Sequence, residues 1–178
     1  MNTEPQADEG MNHLALQLQH HRVAMFTMHE PGVGLTSRPM TPLEMDAEGA
    51  LWFMASRKAL HILVGEPGDA PKPVNLAFRG THPEKGEGDY VSVTGVAESV
   101  DDPRRKEALW SAVARPWFDG PGDPDLMLLK VTPWRAEIWD GPDSAVARTL
   151  SLAASVVAGR PIGMGHKDTI TPQASRSS

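Results

Sequence analysis

The chain has 178 residues, no cysteine, one tyrosine and seven histidines, with 17 basic against 23 acidic side chains. That length suits one domain with a sizeable core, and the missing thiols exclude a disulfide framework, a cysteine nucleophile and a cysteine-based metal site. A net charge of −6 argues against a general nucleic-acid binder; short apolar runs and no leader-like start predict a soluble cytoplasmic protein without a membrane span.

Residues 1–11 open polar and patternless, and are expected to be a disordered terminus. Met11, Leu14, Ala15 and Leu18 then fall at helical spacing and predict a short amphipathic helix. The runs Val23 to Met28 and Val33 to Ser37, around Glu30-Pro31-Gly32, read as an antiparallel hairpin. Asp46 to Gly49 marks a turn before a third strand, Ala50 to Ala55, and Leu60, Leu63 and Val64 place a helix from Arg57 to Val64. Pro73 to Phe78 is a fourth strand and Arg79 to Asp89 a loop; Tyr90 to Ala97 alternates as a long strand with one buried face. Asp101-Asp102-Pro103 starts a helix, acids facing its positive end, that would run to about Val113.

Arg115 to Asp125, rich in proline and glycine, reads as an ordered loop. Leu126 to Val131 and Arg135 to Trp139 are the last strands, separated by Thr132-Pro133. A short helix over Ser144 to Val157 and a flexible tail after Gly159 are expected beyond Pro142. Residues 145–178 carry four basic and one acidic group, so this extension differs in charge from what precedes it. About six or seven largely antiparallel strands with a few short flanking helices define a mostly β (α+β) fold, a small closed or partly closed barrel over residues 12–141, with 142–178 as its extension.

Several chemistries find no motif. Gly32-Val-Gly34 lacks the third glycine and following helix of a dinucleotide loop, and neither a phosphate-binding loop nor a nucleophile elbow occurs. His20 and His21 are adjacent, so on a helix they would point about 100° apart. The remaining histidines are scattered, and no metal site is expected. The acidic loop Asp119 to Asp125 lacks the spacing and closing glutamate of a calcium-binding loop.

Two segments carry a positive signal. Ser37-Arg38 sets a hydroxyl and a guanidinium side by side, and Ser56-Arg57-Lys58 opens a helix directly after a strand. Serine at a helix start, followed by two cations, gathers an anion through hydroxyl, backbone N–H groups and charge, and a dianionic phosphate is the natural occupant. The same tripeptide also fits an ordinary cap with two solvated cations. Trp117-Phe118 and Trp139 suit contact with a planar ligand, or packing in a core or interface.

In order, Ser37-Arg38-Pro39-Met40, Tyr90-Val-Ser-Val-Thr-Gly95 and Trp117-Phe118 with Trp139-Asp140 resemble the FMN-binding split-barrel superfamily. Within it, they resemble the pyridoxamine-phosphate-oxidase-like general stress proteins. The resemblance implies a homodimer with FMN in clefts between subunits. Arg38, Pro39 and Met40 would line the flavin, with Arg38 toward its phosphate; Phe53, Met54 and Ala55 would pass beside the ring; Ser56, Arg57 and Lys58 would hold the phosphate, with Ser37 beside Arg38. Tyr90 falls where related oxidases place a glutamine, and Trp117 and Trp139 would reach the cofactor from the partner chain.

Two departures accompany this resemblance. Ser56 follows the Phe53 strand sooner than is usual in the family. After Asp140 comes Gly-Pro-Asp-Ser-Ala, with no arginine-rich substrate motif, so little or no activity on pyridoxamine phosphate is expected. The implied function is a flavin-dependent oxidoreductase, with NAD(P)H a candidate reductant. A split barrel using deazaflavin or haem, and a non-catalytic stress or interaction protein, are the alternatives. No residue stands out as a general acid or base, which fits a chain whose chemistry is supplied by a bound group.

Overall fold

The structure, a computed structural model, describes residues 1–81, 88–140 and 166–172. In chain order the elements are β1 (Asn2–Thr3), α1 (Glu9–Leu18), β2 (Ala24–Glu30), β3 (Gly34–Met40), β4 (Pro42–Met45) and β5 (Leu51–Ser56). Then come α2 (Arg57–Val64), β6 (Lys72–Thr81), β7 (Gly88–Val100), α3 (Pro103–Leu109), β8 (Leu126–Asp140) and β9 (His166–Ile170).

The strands form one mixed sheet in the order β1-β4-β5-β8-β7-β6-β2-β3, with β9 added to β8 off that path. Every pairing is antiparallel except β1 with β4. The two ends of the path do not pair among the described residues, so the sheet is a split barrel rather than a closed one. This is the mostly β fold that strand spacing predicts.

Alternation decides which side chains fill it. Val91 and Val93 of β7, Leu76 and Phe78 of β6 and Phe26 and Met28 of β2 turn inward and are buried. Phe26 and Phe53 meet edge to face, ring centroids 6.2 Å apart. Met11, Leu14, Ala15 and Leu18 of α1 are all buried, and Asp8 caps the helix by accepting from the Met11 N–H at 2.9 Å. Each large buried side chain is worth about 1.5–3 kcal/mol, against about 1 kcal/mol for the cap, so packing holds α1 in place.

Several elements depart from the sequence reading. The terminus expected to be disordered is tied down: Asn2 and Thr3 pair with Glu44 and Met45. The Gln6 N–H donates to Asn12 Oδ1 at 2.8 Å, and its side-chain amide donates to the Asp46 carbonyl at 2.7 Å. These bonds order a segment with no apolar periodicity to reveal them. The loop expected over Arg79 to Asp89 is shorter, because β6 reaches Thr81 and β7 begins at Gly88. The helix predicted from Asp101 to Val113 ends at Leu109; Trp110 turns extended and packs beside Ala114 and Phe118. The two strands predicted around Thr132-Pro133 are one strand, β8. Proline removes a ladder donor, and the ladder accommodates it by a register shift between Thr94 and Gly95. A Cβ on Gly95 would lie 2.4 Å from the Thr132 carbonyl oxygen, so only glycine lets the strands close there. The helix expected over Ser144 to Val157 lies outside the described residues, whereas His166–Ile170 of the extension forms β9.

Candidate functional site

β3 ends at Met40 and β5 ends at Ser56, and between these ends lies a cleft of about 490 Å3, within the usual range for a small-molecule site. Arg38, Pro39 and Met40 line one side, Met54, Ala55 and Ser56 another. Trp117 and Phe118 from the segment after α3, and Asp125 just before β8, close the rim. Seven of the residues predicted for the site therefore come together: Arg38, Pro39, Met40, Met54, Ala55, Ser56 and Trp117. A larger groove of about 780 Å3 adjoins it at Thr41, Leu43 and Val113, and none of the predicted residues lines that groove.

Other predicted residues sit elsewhere for identifiable reasons. Ser37 alternates to the opposite face of β3 from Arg38 and shares a 2.7 Å hydrogen bond with Thr27, so the two do not act side by side. Phe53 faces the core and is fully buried, away from the cleft. Tyr90 and Trp139 are directly opposed across β7 and β8. Leu126, the partner of Ser56, begins β8, and Trp139 lies 13 residues further on, about 43 Å of strand. Within one protomer, neither Tyr90 nor Trp139 lines the cleft. There Arg79 donates to the Tyr90 hydroxyl at 3.3 Å, and Lys167 lies 5.3 Å from the centre of the Trp139 ring.

Two cations of the site, Arg38 and Arg57, are engaged in ion pairs. Arg38 donates to Glu30 at 2.8 Å and to the Thr36 hydroxyl at 3.0 Å, and the guanidinium holds the Glu30 carboxyl below its usual range. Arg57 pairs with Glu66. Lys58 is exposed, but its N–H donates to Asp125 Oδ1 at 3.0 Å while Ser56 Oγ donates to Oδ2 at 2.8 Å. These bonds, the Lys58 N–H first and the Ser56 hydroxyl second, hold the Asp125 carboxyl below the usual carboxylate range. Where the sequence reading of Ser56-Arg57-Lys58 expects an anion, the Ser56 hydroxyl and the Lys58 backbone N–H hold a carboxylate of the same chain.

Asp125 is a lining residue of the cleft that sequence reasoning missed. Asp125 belongs to a loop that reads as a solvated turn, and only the pairing of Ser56 with Leu126 brings it to the start of α2. Among the described residues, no group of three or more histidine, aspartate or glutamate side chains could hold a metal ion. Nor is any described helix long and apolar enough to cross a membrane.

A split barrel with an apolar-walled cleft between the ends of two of its strands defines a ligand-binding class. More narrowly, the pyridoxamine 5'-phosphate oxidase-like family model matches residues 9–162, and the chain belongs to that family. A segment of 44 residues is 40% identical to general stress protein 26 of Bacillus subtilis; it covers 25% of this chain and spans only 31% of that protein. A solved structure of a general stress protein 26 from Jannaschia is similar at 28% identity and a TM-score of 0.60, over 88% of this chain and 94% of that one. The general stress FMN/FAD binding protein of Xanthomonas citri is also similar, at 28% identity and a TM-score of 0.56, over 68% of this chain and 82% of that one.

Proposed function

We propose that the cleft binds flavin mononucleotide and that the chain is a flavin-dependent oxidoreductase working as a homodimer. The observation that carries this is the convergence of Arg38, Pro39, Met40, Met54, Ala55, Ser56 and Trp117 on one space of about 490 Å3. A flat ring system needs apolar walls with a few polar groups to orient it, and Met40, Met54, Leu60 and Phe118 supply such walls. The likeness to a flavin-binding protein of Xanthomonas citri supports the same reading. Arg38 and Lys58 would serve the phosphate end, and Met54 and Phe118 the ring. Trp117, 72% exposed at the rim, offers an apolar surface that a partner chain or ligand would cover.

When bound, the flavin supplies the electron transfer, and NAD(P)H is the reductant we expect. The chain's own residues bind and orient it and shield its ring from water. Activity on pyridoxamine phosphate is expected to be negligible, so an assay for pyridoxal phosphate should show no turnover.

The absorption spectrum of freshly purified protein tests the reading, together with titration of added FMN followed by its fluorescence. Flavin bands, or quenching on titration, are expected. A colourless protein that leaves FMN fluorescence unchanged rejects flavin binding, and a Soret band assigns haem instead. Arg38→Ala should weaken FMN by about 1.5–3 kcal/mol, the scale of a charged hydrogen bond, read as a shifted midpoint in the same titration.

A further inference from the structure

At the start of α2 the donors suited to a phosphate are already in use. Ser56 Oγ and the Lys58 N–H donate to the two oxygens of one carboxylate, that of Asp125, at 2.8 and 3.0 Å. A phosphate would use the same pair through two of its oxygens. Asp125 also lines the cleft next to Ser56 and is only partly buried, so its side chain borders the space a ligand would enter.

Its backbone is braced separately from its carboxylate. The Arg57 N–H donates to the Asp125 carbonyl at 2.6 Å, and Asp123 accepts from the Asp119 and Asp125 N–H groups at 3.0 and 2.8 Å. The side chain can therefore leave its donors while the loop stays in place. A dianionic phosphate and a carboxylate cannot share those donors, because two anions in contact repel and neither then has a proton to offer.

We infer that Asp125 is an internal anion that competes with a ligand's phosphate for the Ser56 hydroxyl and the Lys58 N–H, holding the phosphate end of the cleft closed until it is displaced. This rests on the reading of the cleft as a site for a phosphorylated flavin. A ligand with the same ring but no phosphate leaves Asp125 where it is. The chain therefore gains little from the phosphate, whereas free donors would favour the phosphorylated form strongly.

The test uses the full chain and titrates riboflavin, FMN and inorganic phosphate against wild type, Asp125→Ala and Asp125→Asn. In wild type, FMN and riboflavin should bind within about threefold of each other. In Asp125→Ala, FMN should tighten about tenfold, the scale of a charged hydrogen bond made without a competitor, while riboflavin is unchanged. Asp125→Asn keeps a carbonyl acceptor for one donor and should fall between; it serves as the folded variant if the alanine chain is unstable. FMN affinity that is unchanged or weaker in folded variants overturns the inference. If no flavin binds at all, the cofactor reading fails, and phosphate alone decides. Phosphate that broadens its 31P resonance on the variants and not on wild type upholds competition by Asp125; equal broadening on all three overturns it.

Discussion

His21 shows how much a single side chain can depend on positions far along the chain. Its ring is enclosed: Nδ1 donates to the Gln17 carbonyl at 2.9 Å, its edge meets Phe78 with centroids 5.7 Å apart, and Nε2 faces Asp89 Oδ1 at 3.4 Å. Gly80 makes room for this pair, since a Cβ there would lie 2.7 Å from Nε2 and 2.8 Å from Asp89 Oδ1. Gly80→Ala should lower stability by about 1–3 kcal/mol, the cost of overpacking a filled interior. Gly120→Ala, where a Cβ would meet nothing within 4 Å, should stay within about 0.5 kcal/mol. Denaturant unfolding of both variants checks the contrast. From sequence, His21 could be weighed only as a metal candidate. Its use as a buried partner of Asp89 has no local signature, and the same holds for Asp125 at the start of α2. By contrast Arg38 and Ser56 stood out by residue type and place, Pro39, Met40 and Met54 through the family resemblance, and all five line the one cleft.

At the scale of elements, legibility followed periodicity. The β2–β3 hairpin, β5, α1, α2 and the body of β7 carry compact apolar runs, turn residues or apolar residues at period 2 or 3.6, and were read close to where they lie. β1, β4 and β9 are short, and their side chains alternate too little to announce a strand; pairing with β4, β5 and β8 makes them. β9 is clasped as well as paired. Glu137 of β8 accepts from Lys167 of β9 at 2.6 Å and from Arg135 at 2.8 Å, and these cations hold its carboxyl below the usual range. A lowered carboxylate contributes stability that is present above its ordinary range and is lost as pH falls through the lowered value. The protection factors of the β9 amides, which remove the intrinsic pH dependence of exchange, should therefore fall on acidification more in wild type than in Glu137→Gln. Equal acid sensitivity in the two would reject the clasp. Ile170 ends β9 largely buried, and Ile170→Ala should cost about 2 kcal/mol in thermal or denaturant unfolding, the lower end for a core aliphatic because it sits at the sheet margin.

For the whole molecule, the exposed apolar surface beside the cleft is the feature to test. Trp117 and Val113 are both exposed and both line the cleft. The homodimer proposed above would cover them, and light scattering should give about twice the 19.3 kDa chain mass. Trp117→Ser should shift that mass toward the monomer if this rim forms the contact. A mostly β, barrel-like architecture was legible from turn-punctuated strands, and its split form from the family resemblance. Which strand neighbours which was not, because β5 and β8, or β2 and β6, are joined across long stretches of chain.

That separation governs how the protein is made. β9 pairs with β8, and Ile170 joins the same buried cluster as Leu14 and Leu18 of α1. α1 therefore completes its contact with Ile170 only when a segment about 150 residues further along the chain has been made. Until then Ala136 and Ile138 on the far half of β8 line an unpaired edge, the kind of surface that binds other strands or chaperones. A chain that ends before His166 should therefore be more protease-sensitive than the full chain, because the part of α1 and the edge of β8 that β9 covers stay open.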